Sequence, residues 1–315
     1  MFIDEHSSLE VLSFGEPLVG LYAPPGKSYA EDVALSVVWG GDTSNVATAV
    51  SRLAHRAAYL SRVGADAFGE RFLELWREAG VDTSHVRVDS EHRTGAYFVS
   101  FEHGSHRFTY YRSNSAASHI RVEDIDWDFV RSCRVLHLSS ISQGISRSAL
   151  EVSFALMEAA RSKNIMISYD VNYRPALWTP ELARAVIRQS IEDYADMVMI
   201  SEEEMGLLGW GEGIGDLRRA LRRLPLLCAL KHGPGGCTVL REGEQVTVEP
   251  IRVEVEDTVG AGDAFAAGLI CAVLEDRPLL QVGKMGNIVA GLTCRKRGPL
   301  SGQPTREEVE RFLAE

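Results

Sequence analysis

Cysteine is scarce in this chain of 315 residues, and it is never clustered. The five stand apart at Cys133, Cys228, Cys237, Cys271 and Cys294, with no Cys-x-x-Cys pair. That spacing excludes a cysteine zinc site and a disulfide framework, and fits buried free thiols in a reducing cytoplasm. Positive charge is also short. Lys and Arg number 33 against 44 Asp and Glu, a net charge of −11. Such a chain has no general attraction for nucleic acid, and an anionic substrate would need a local basic cluster. No apolar run approaches the roughly 20 residues that span a bilayer. The polar, acidic residues 1–10 lack the pattern of a signal peptide. His85, His103 and His119 show no metal-ligand spacing.

What is present is ordinary for a soluble globular protein: 45% hydrophobic and 24% charged residues. The length suits one large domain over residues 1–315, with at most a small appendage. A first strand is expected at 11–15. From Val135 onward strands at 134–138, 165–170, 196–200 and 226–231 alternate with helices at 146–162, 180–193 and 213–223. That series predicts a parallel sheet covered on both faces, with its active site at the C-terminal ends of the strands. Short alternating patterns at 94–101 and 107–112, joined through His103-Gly104, read as a hairpin. With strands near 18–22 and 33–38 they predict a small separate sheet. Residues 20–28 end in Gly-Lys-Ser, but five residues separate the glycines where a P-loop has four. Pro24 and Pro25 also lack the N–H groups of a phosphate cradle, so this is read as a loop.

Near the C-terminus, Asp257-Thr258-Val259-Gly260-Ala261-Gly262-Asp263 runs into the apolar, small-residue stretch 264–269. Two glycines ahead of such a run predict a tight turn feeding a buried helix. The first N–H groups of that helix have no intrahelical partner and carry the positive end of its dipole, a natural seat for phosphate. Asp263 at the helix start could take a proton from an attacking hydroxyl, or it could merely cap the helix. Asp-Thr-Val-Gly-Ala-Gly-Asp-Ala-Phe closely resembles the C-terminal signature of the ribokinase-like (PfkB) carbohydrate kinases. The resemblance implies that Gly260, Ala261 and Gly262 form an anion hole and that Asp263 is the catalytic base.

A second stretch supports it. Gly40-Gly41-Asp42-Thr43-Ser44-Asn45 precedes residues with helical spacing, with Asp42 or Thr43 as the expected N-cap. Together with Val63-Gly64-Ala65-Asp66-x-Phe68-Gly69 it resembles the family's N-terminal signature. There the glycines let sugar hydroxyls approach the backbone, and Asp42 and Asn45 bond them. Tyr110-Tyr111-Arg112 ends the second hairpin strand, where an Arg flanked by aromatics could fork onto a carboxylate. This run, and Asp170-Val171-Asn172-Tyr173-Arg174-Pro175, resemble the 2-keto-3-deoxygluconate kinases within the family. That implies Tyr97, Tyr110, Arg112 and Arg174 as holders of a sugar acid, Arg174 also serving the transferring phosphate.

The same resemblance extends to the nucleotide. Asn172, Ser201, Lys231, Gly233, Gly235, Gly236, Gly260, Gly262 and Asn287 fall at ATP-site positions, and Glu204 at one that orders magnesium waters. Ser201 stands where many relatives have Asn. A glycine turn between strands explains residues 233–236 nearly as well, and the dipole alone favours a triple Glu at a helix start. Arg218, Arg219, Arg222 and Arg223 fall on one helix face and read as a solvated stripe. The expectation is a ribokinase-like α/β fold: a three-layer αβα body with a mostly parallel sheet and a small β lid drawn from about 16–38 and 94–112. The expected reaction is ATP- and Mg²⁺-dependent phosphorylation of a ketodeoxy sugar acid. The alternatives are a fructokinase- or ribokinase-type enzyme and a sugar-binding regulator without catalysis. The resemblance also points to a cytoplasmic homodimer joined through the lid, and leaves room for a monovalent cation such as K⁺.

Overall fold

The computed structural model of the chain describes residues 9–24, 26–29, 32–102, 105–220, 226–241 and 243–314. The His103-Gly104 turn, Arg222 and Arg223, and the acidic residues 1–8 lie outside these. Among the described residues thirteen strands follow in order: β1 (Leu9–Phe14), β2 (Leu18–Tyr22), β3 (Ser36–Gly40), β4 (Ala57–Gly64), β5 (Val86–Asp89), β6 (Gly95–Glu102), β7 (Ser105–Tyr111), β8 (Cys133–Ser139), β9 (Met166–Asp170), β10 (Met197–Ser201), β11 (Leu227–Lys231), β12 (Cys237–Arg241) and β13 (Glu244–Val248). Nine form one sheet in the order β13-β12-β11-β10-β9-β8-β1-β4-β5. Seven of these run parallel, and the β12–β13 hairpin closes one edge antiparallel. β8 to β11 coincide with the expected strands to within a residue. Their Val-, Ile-, Leu- and Met-rich runs are buried on both faces, as a covered parallel sheet requires.

One face carries α1 (Asp42–Arg52), α2 (Ala67–Glu78), α9 (Ala261–Leu274), α10 (Leu279–Thr293) and α11 (Arg306–Leu313); the other carries α3 (Trp127–Val130), α4 (Ser140–Gly144), α5 (Arg147–Ser162), α6 (Pro180–Gln189), α7 (Glu202–Leu208) and α8 (Gly213–Ala220). The helix expected at 180–193 is α6 plus a π turn at Ser190–Tyr194. In α9 every residue from Ala264 to Leu274 is buried, because it packs on the sheet between α1 and α10. Small residues let the two helices approach closely. A Cβ on Gly268 would lie 2.8 Å from the Met285 carbonyl, and one on Gly286 2.8 Å from the Phe265 ring. The helix that begins at the glycine turn therefore has a rigid mount.

The second sheet, β3-β2-β6-β7, stands apart over the C-terminal ends of the strands. It comes from the two stretches expected to form a lid, although β3 begins at Ser36, later than the sequence pattern suggested. Two antiparallel pairs, β2–β3 and β6–β7, join through a parallel β2–β6 contact. Gly20 pairs with Tyr97 in that contact. A Cβ on Gly20 would lie 2.7 Å from the Tyr97 ring, so the phenol occupies the space a side chain would have taken.

Candidate active site

Gly260 caps α9 with φ +85, a conformation L side chains avoid. Asp257 shapes the turn before it. Its Oδ1 accepts from the Val259 amide at 3.0 Å and its Oδ2 from the Gly298 amide at 2.9 Å. The amides of Gly262 and Asp263 follow with no intrahelical carbonyl to meet them, at the positive end of the dipole. Asp263 is partly buried, and its Oδ2 accepts a 2.6 Å hydrogen bond from Asn45 Nδ2. Burial pushes its carboxyl up to about 7, and the neighbouring Asp42 charge adds to the rise against the Asn45 hydrogen bond. A carboxylate poised there can accept a proton near neutral pH.

Asn45 and Asp42 stand in the first turn of α1. The helix is capped by Gly41, at φ +114, and not by the Asp42 or Thr43 expected from sequence. The Asp42 carboxylate is turned elsewhere: its Oδ2 accepts from the Ser139 hydroxyl at the end of β8. Burial raises the Asp42 carboxyl above the ordinary aspartate range; the Ser139 hydrogen bond and the charges of Arg112 and Arg174 oppose the rise. Asp42 Oδ1 and Asn45 Oδ1 are buried without a hydrogen-bond partner. Two such acceptors at one helix start suit a ligand that brings hydroxyl donors. The glycines before them have a steric reason that sequence did not reveal. A Cβ on Gly41 would lie 2.3 Å from the Glu16 carbonyl, and one on Gly40 2.6 Å from Pro299 Cγ.

On the lid, Tyr97 and Tyr110 are register partners with ring centroids 6.2 Å apart. Tyr97 is buried and its hydroxyl lies 3.3 Å from that of Tyr22, whereas Tyr110 is exposed. Arg112 packs its guanidinium over the Tyr110 ring at 5.8 Å. It is already paired. Its Nε donates to Glu16 Oε2 at 2.7 Å, Nη2 meets the same carboxylate, and the Ser115 hydroxyl donates to Glu16 Oε1. Arg174 is exposed, donates to the Tyr173 carbonyl at 3.0 Å, and forms no ion pair among the described residues. Its charge reaches Asp42, Asp170 and Asp263 and favours their ionised forms.

Beyond Asp263, Lys231 ends β11 and donates to the buried Asp170 at 2.7 Å. Burial works against its ammonium, but the carboxylates of Asp170 and Glu204 outweigh it and raise its pKa. Lys231, Gly233, Gly236, Gly262 and Asn287 line one cavity of about 650 Å³, walled by apolar side chains including Ile251, Val253 and Phe265. Gly235 stands in the turn beside it. Asn287 is not free to reach into the cavity with its amide, since Nδ2 donates to the Val248 and Glu249 carbonyls, each at 3.0 Å. Asn172, at φ +35, and Ser201 are not among its walls. Ser201 and Glu204 instead cap α7 reciprocally. Glu204 Oε2 accepts from the Ser201 amide at 2.8 Å and Oε1 from the Tyr173 amide at 3.0 Å, each oxygen keeping a second lone pair. No group of three or more His, Cys, Asp or Glu among the described residues could hold a metal by itself.

Sequence reasoning gave no role to Glu16, Asp170 or Ser139. Each is a polar group at the C-terminal end of a parallel strand, and that placement was the available signal. The cavity walls at 251–255 belong to an irregular segment with no motif.

Phosphate-seeking amides stand on one side of Asp263 and hydroxyl-seeking acceptors on the other, which fits phosphoryl transfer to an alcohol. The pfkB family carbohydrate kinase profile matches residues 9–306. Fructokinase-1 of Zea mays is 33% identical, over 96% of this chain and 97% of its own. The 2-dehydro-3-deoxygluconokinase of Bacillus subtilis (strain 168) is 32% identical, over 97% and 96%. A crystal structure of fructokinase from Vibrio cholerae O395, in a fructose, ADP and calcium ion bound form, superposes with a TM-score of 0.86 at 28% identity, covering 98% of this chain and 99% of that one. The chain belongs to the pfkB family of carbohydrate kinases, and its fold is ribokinase-like.

Proposed function

We propose that the protein transfers the γ-phosphoryl group of ATP to the primary hydroxyl of a ketodeoxy sugar acid, 2-keto-3-deoxygluconate above all, giving 2-keto-3-deoxy-6-phosphogluconate. The sugar lies between lid and body, with hydroxyls on Asp42 Oδ1 and Asn45 Oδ1 and its apolar face on Tyr97 and Tyr110. Asp263 takes the proton of the attacking hydroxyl. The new O–P bond forms as the bond to the β-phosphate oxygen breaks, and the 260–262 turn meets the charge on the moving phosphoryl. ATP occupies the cavity beside Lys231 with its base between the apolar walls. Glu204, with lone pairs to spare, would hold a water of Mg²⁺, whose charge, when bound, would offset that of the phosphates. The whole chain acts as one kinase domain. The exposed lid residues Val37, Phe108 and Tyr111 fit a second copy packed lid to lid.

The observation that carries the sugar-acid reading is Arg174. Its guanidinium has no ion-pair partner among the described residues and lies in electrostatic reach of the base. In a chain of net charge −11, such a cation beside the base suits an anionic substrate. Glu16 favours a second reading. It already neutralises Arg112, and a fructokinase needs no carboxylate clamp. The test is kcat/KM for 2-keto-3-deoxygluconate, 2-keto-3-deoxygalactonate, fructose and ribose. A preference of about 10²-fold for a ketodeoxy acid, roughly 2.7 kcal/mol, is expected. A preference for fructose would keep the role of Asp263 and discard those of Arg112 and Arg174 toward a carboxylate. Binding of sugar with no ATP turnover would identify a regulator.

A further inference from the structure

Residues 297–303 have no role in the reaction described above, yet they meet the lid, the turn before the anion hole and the start of α1. Arg297 Nη2 donates to the Ala23 carbonyl at 2.7 Å and its guanidinium lies over the Tyr22 ring of the lid. The Gly298 amide holds Asp257. Arg52 of α1 donates to the carbonyls of Leu300 at 2.7 Å and Gln303 at 3.0 Å, and Gln303 Nε2 donates back to the Asn45 carbonyl at 2.9 Å. The segment is thus pinned to the lid, to the turn before the anion hole and to the helix that carries the hydroxyl acceptors.

Pro299, which is buried, lies at the centre of these ties. A Cβ on Gly260 would come 2.5 Å from Pro299 Cβ and 2.8 Å from its Cα. A Cβ on Gly40, at the end of lid strand β3, would come 2.6 Å from Pro299 Cγ. Two glycines that border the chemistry, one before the phosphate-seeking amides and one before the hydroxyl acceptors, are glycine partly because this ring presses on both. A proline is stiff: its φ is fixed, and its closed ring can yield only by a small change of pucker.

We infer that Pro299 is a positioning residue for the transfer step, a rigid spacer that sets the distance between the sugar-holding start of α1 and the anion-holding start of α9. The inference rests on the kinase reading for its consequence, but its steric content is independent of the substrate. A misplacement of about 1 Å between reacting groups costs about 10²-fold in rate. A spacer acts through the groups it separates and not by binding, so its loss should fall on kcat.

Four variants test it. Pro299→Ala should lower kcat about 10-fold or more, with KM for sugar and for ATP within about threefold of wild type. Gly40→Ala should be severely impaired in the native background, in melting temperature and in kcat, because it collides with the ring. In a Pro299→Gly background the collision is gone, and Gly40→Ala should then cost little in melting temperature beyond the Pro299→Gly change itself. A kcat within twofold in Pro299→Ala, or an equal penalty for Gly40→Ala in both backgrounds, overturns the proposal. If the wild type phosphorylates no sugar, the kinase reading fails. The melting-temperature arm still decides whether Pro299 is the spacer: a smaller Gly40→Ala penalty without the ring supports it, and an equal penalty refutes it.

Discussion

The two ends of the parallel strands treat their charges in opposite ways. At the N-terminal ends, Glu275 is saturated. It accepts from Arg306, from Arg277 Nε and from His55 Nε2 at 2.9 Å, and these partners outweigh burial to hold its carboxyl well below the usual range. His55 is shared with Glu10 at 3.2 Å, and the two carboxylates raise its pKa despite burial. At the C-terminal ends, Asp263 has one neutral partner, Asn45, and is pushed up to about 7. Asp42 keeps an unpartnered oxygen. Carboxylates at one end are fully paired and contribute stability; those at the other are left underpaired, the arrangement expected of groups that bind or react.

The largest test of this contrast is Asp263→Asn. Turnover is expected to fall about 10²–10⁴-fold with sugar binding nearly intact, and the melting temperature at pH 8 to rise, because a raised acid destabilises the fold once ionised. Near-normal turnover would remove Asp263 as the base. The mirror-image change is Glu275→Gln. It should cost about 1–3 kcal/mol in urea unfolding, since two arginines lose a partly buried partner, and leave kcat unchanged; a large loss of kcat at full stability would break the comparison. Third is the pH dependence of kcat/KM. It should climb through about 7 as Asp263 loses its proton, falling about tenfold per unit below that, and a profile flat from 5 to 8 would contradict the assignment. The smallest effect is expected from His55. Its pKa is raised, so its stabilising contribution is complete below the ordinary value near 6.5 and is lost as pH rises through the higher folded value. Melting curves of His55→Gln should lack that alkaline decline.

The parts of the site that sequence made legible are those fixed by backbone conformation. Gly260 and Asp263 stand out because a tight turn into a buried helix needs a residue that tolerates positive φ, and glycine is the usual one. The strands β8 to β11 were legible because a doubly covered sheet needs unbroken apolar runs. Lost from view were relations between distant segments. Nothing at Gly40 announces Pro299, and nothing in Tyr-Tyr-Arg announces that Glu16, almost a hundred residues earlier, occupies the same guanidinium. The capping role of Glu204 was overlooked and not hidden: Ser201-x-x-Glu204 is a capping-box pattern that residue type alone announces.

The pairing of Gly20 with Tyr97 has a consequence for anyone who would transplant specificity between relatives. The lid looks like a module, but its two halves come from separate stretches of chain and interlock where one side chain fills the other's vacancy. A graft of residues 94–112 alone would set a foreign residue against Gly20, and a graft of 16–38 alone would drive a foreign side chain into the Tyr97 ring. Exchanged together, the halves keep their fit; a working chimera has to inherit both.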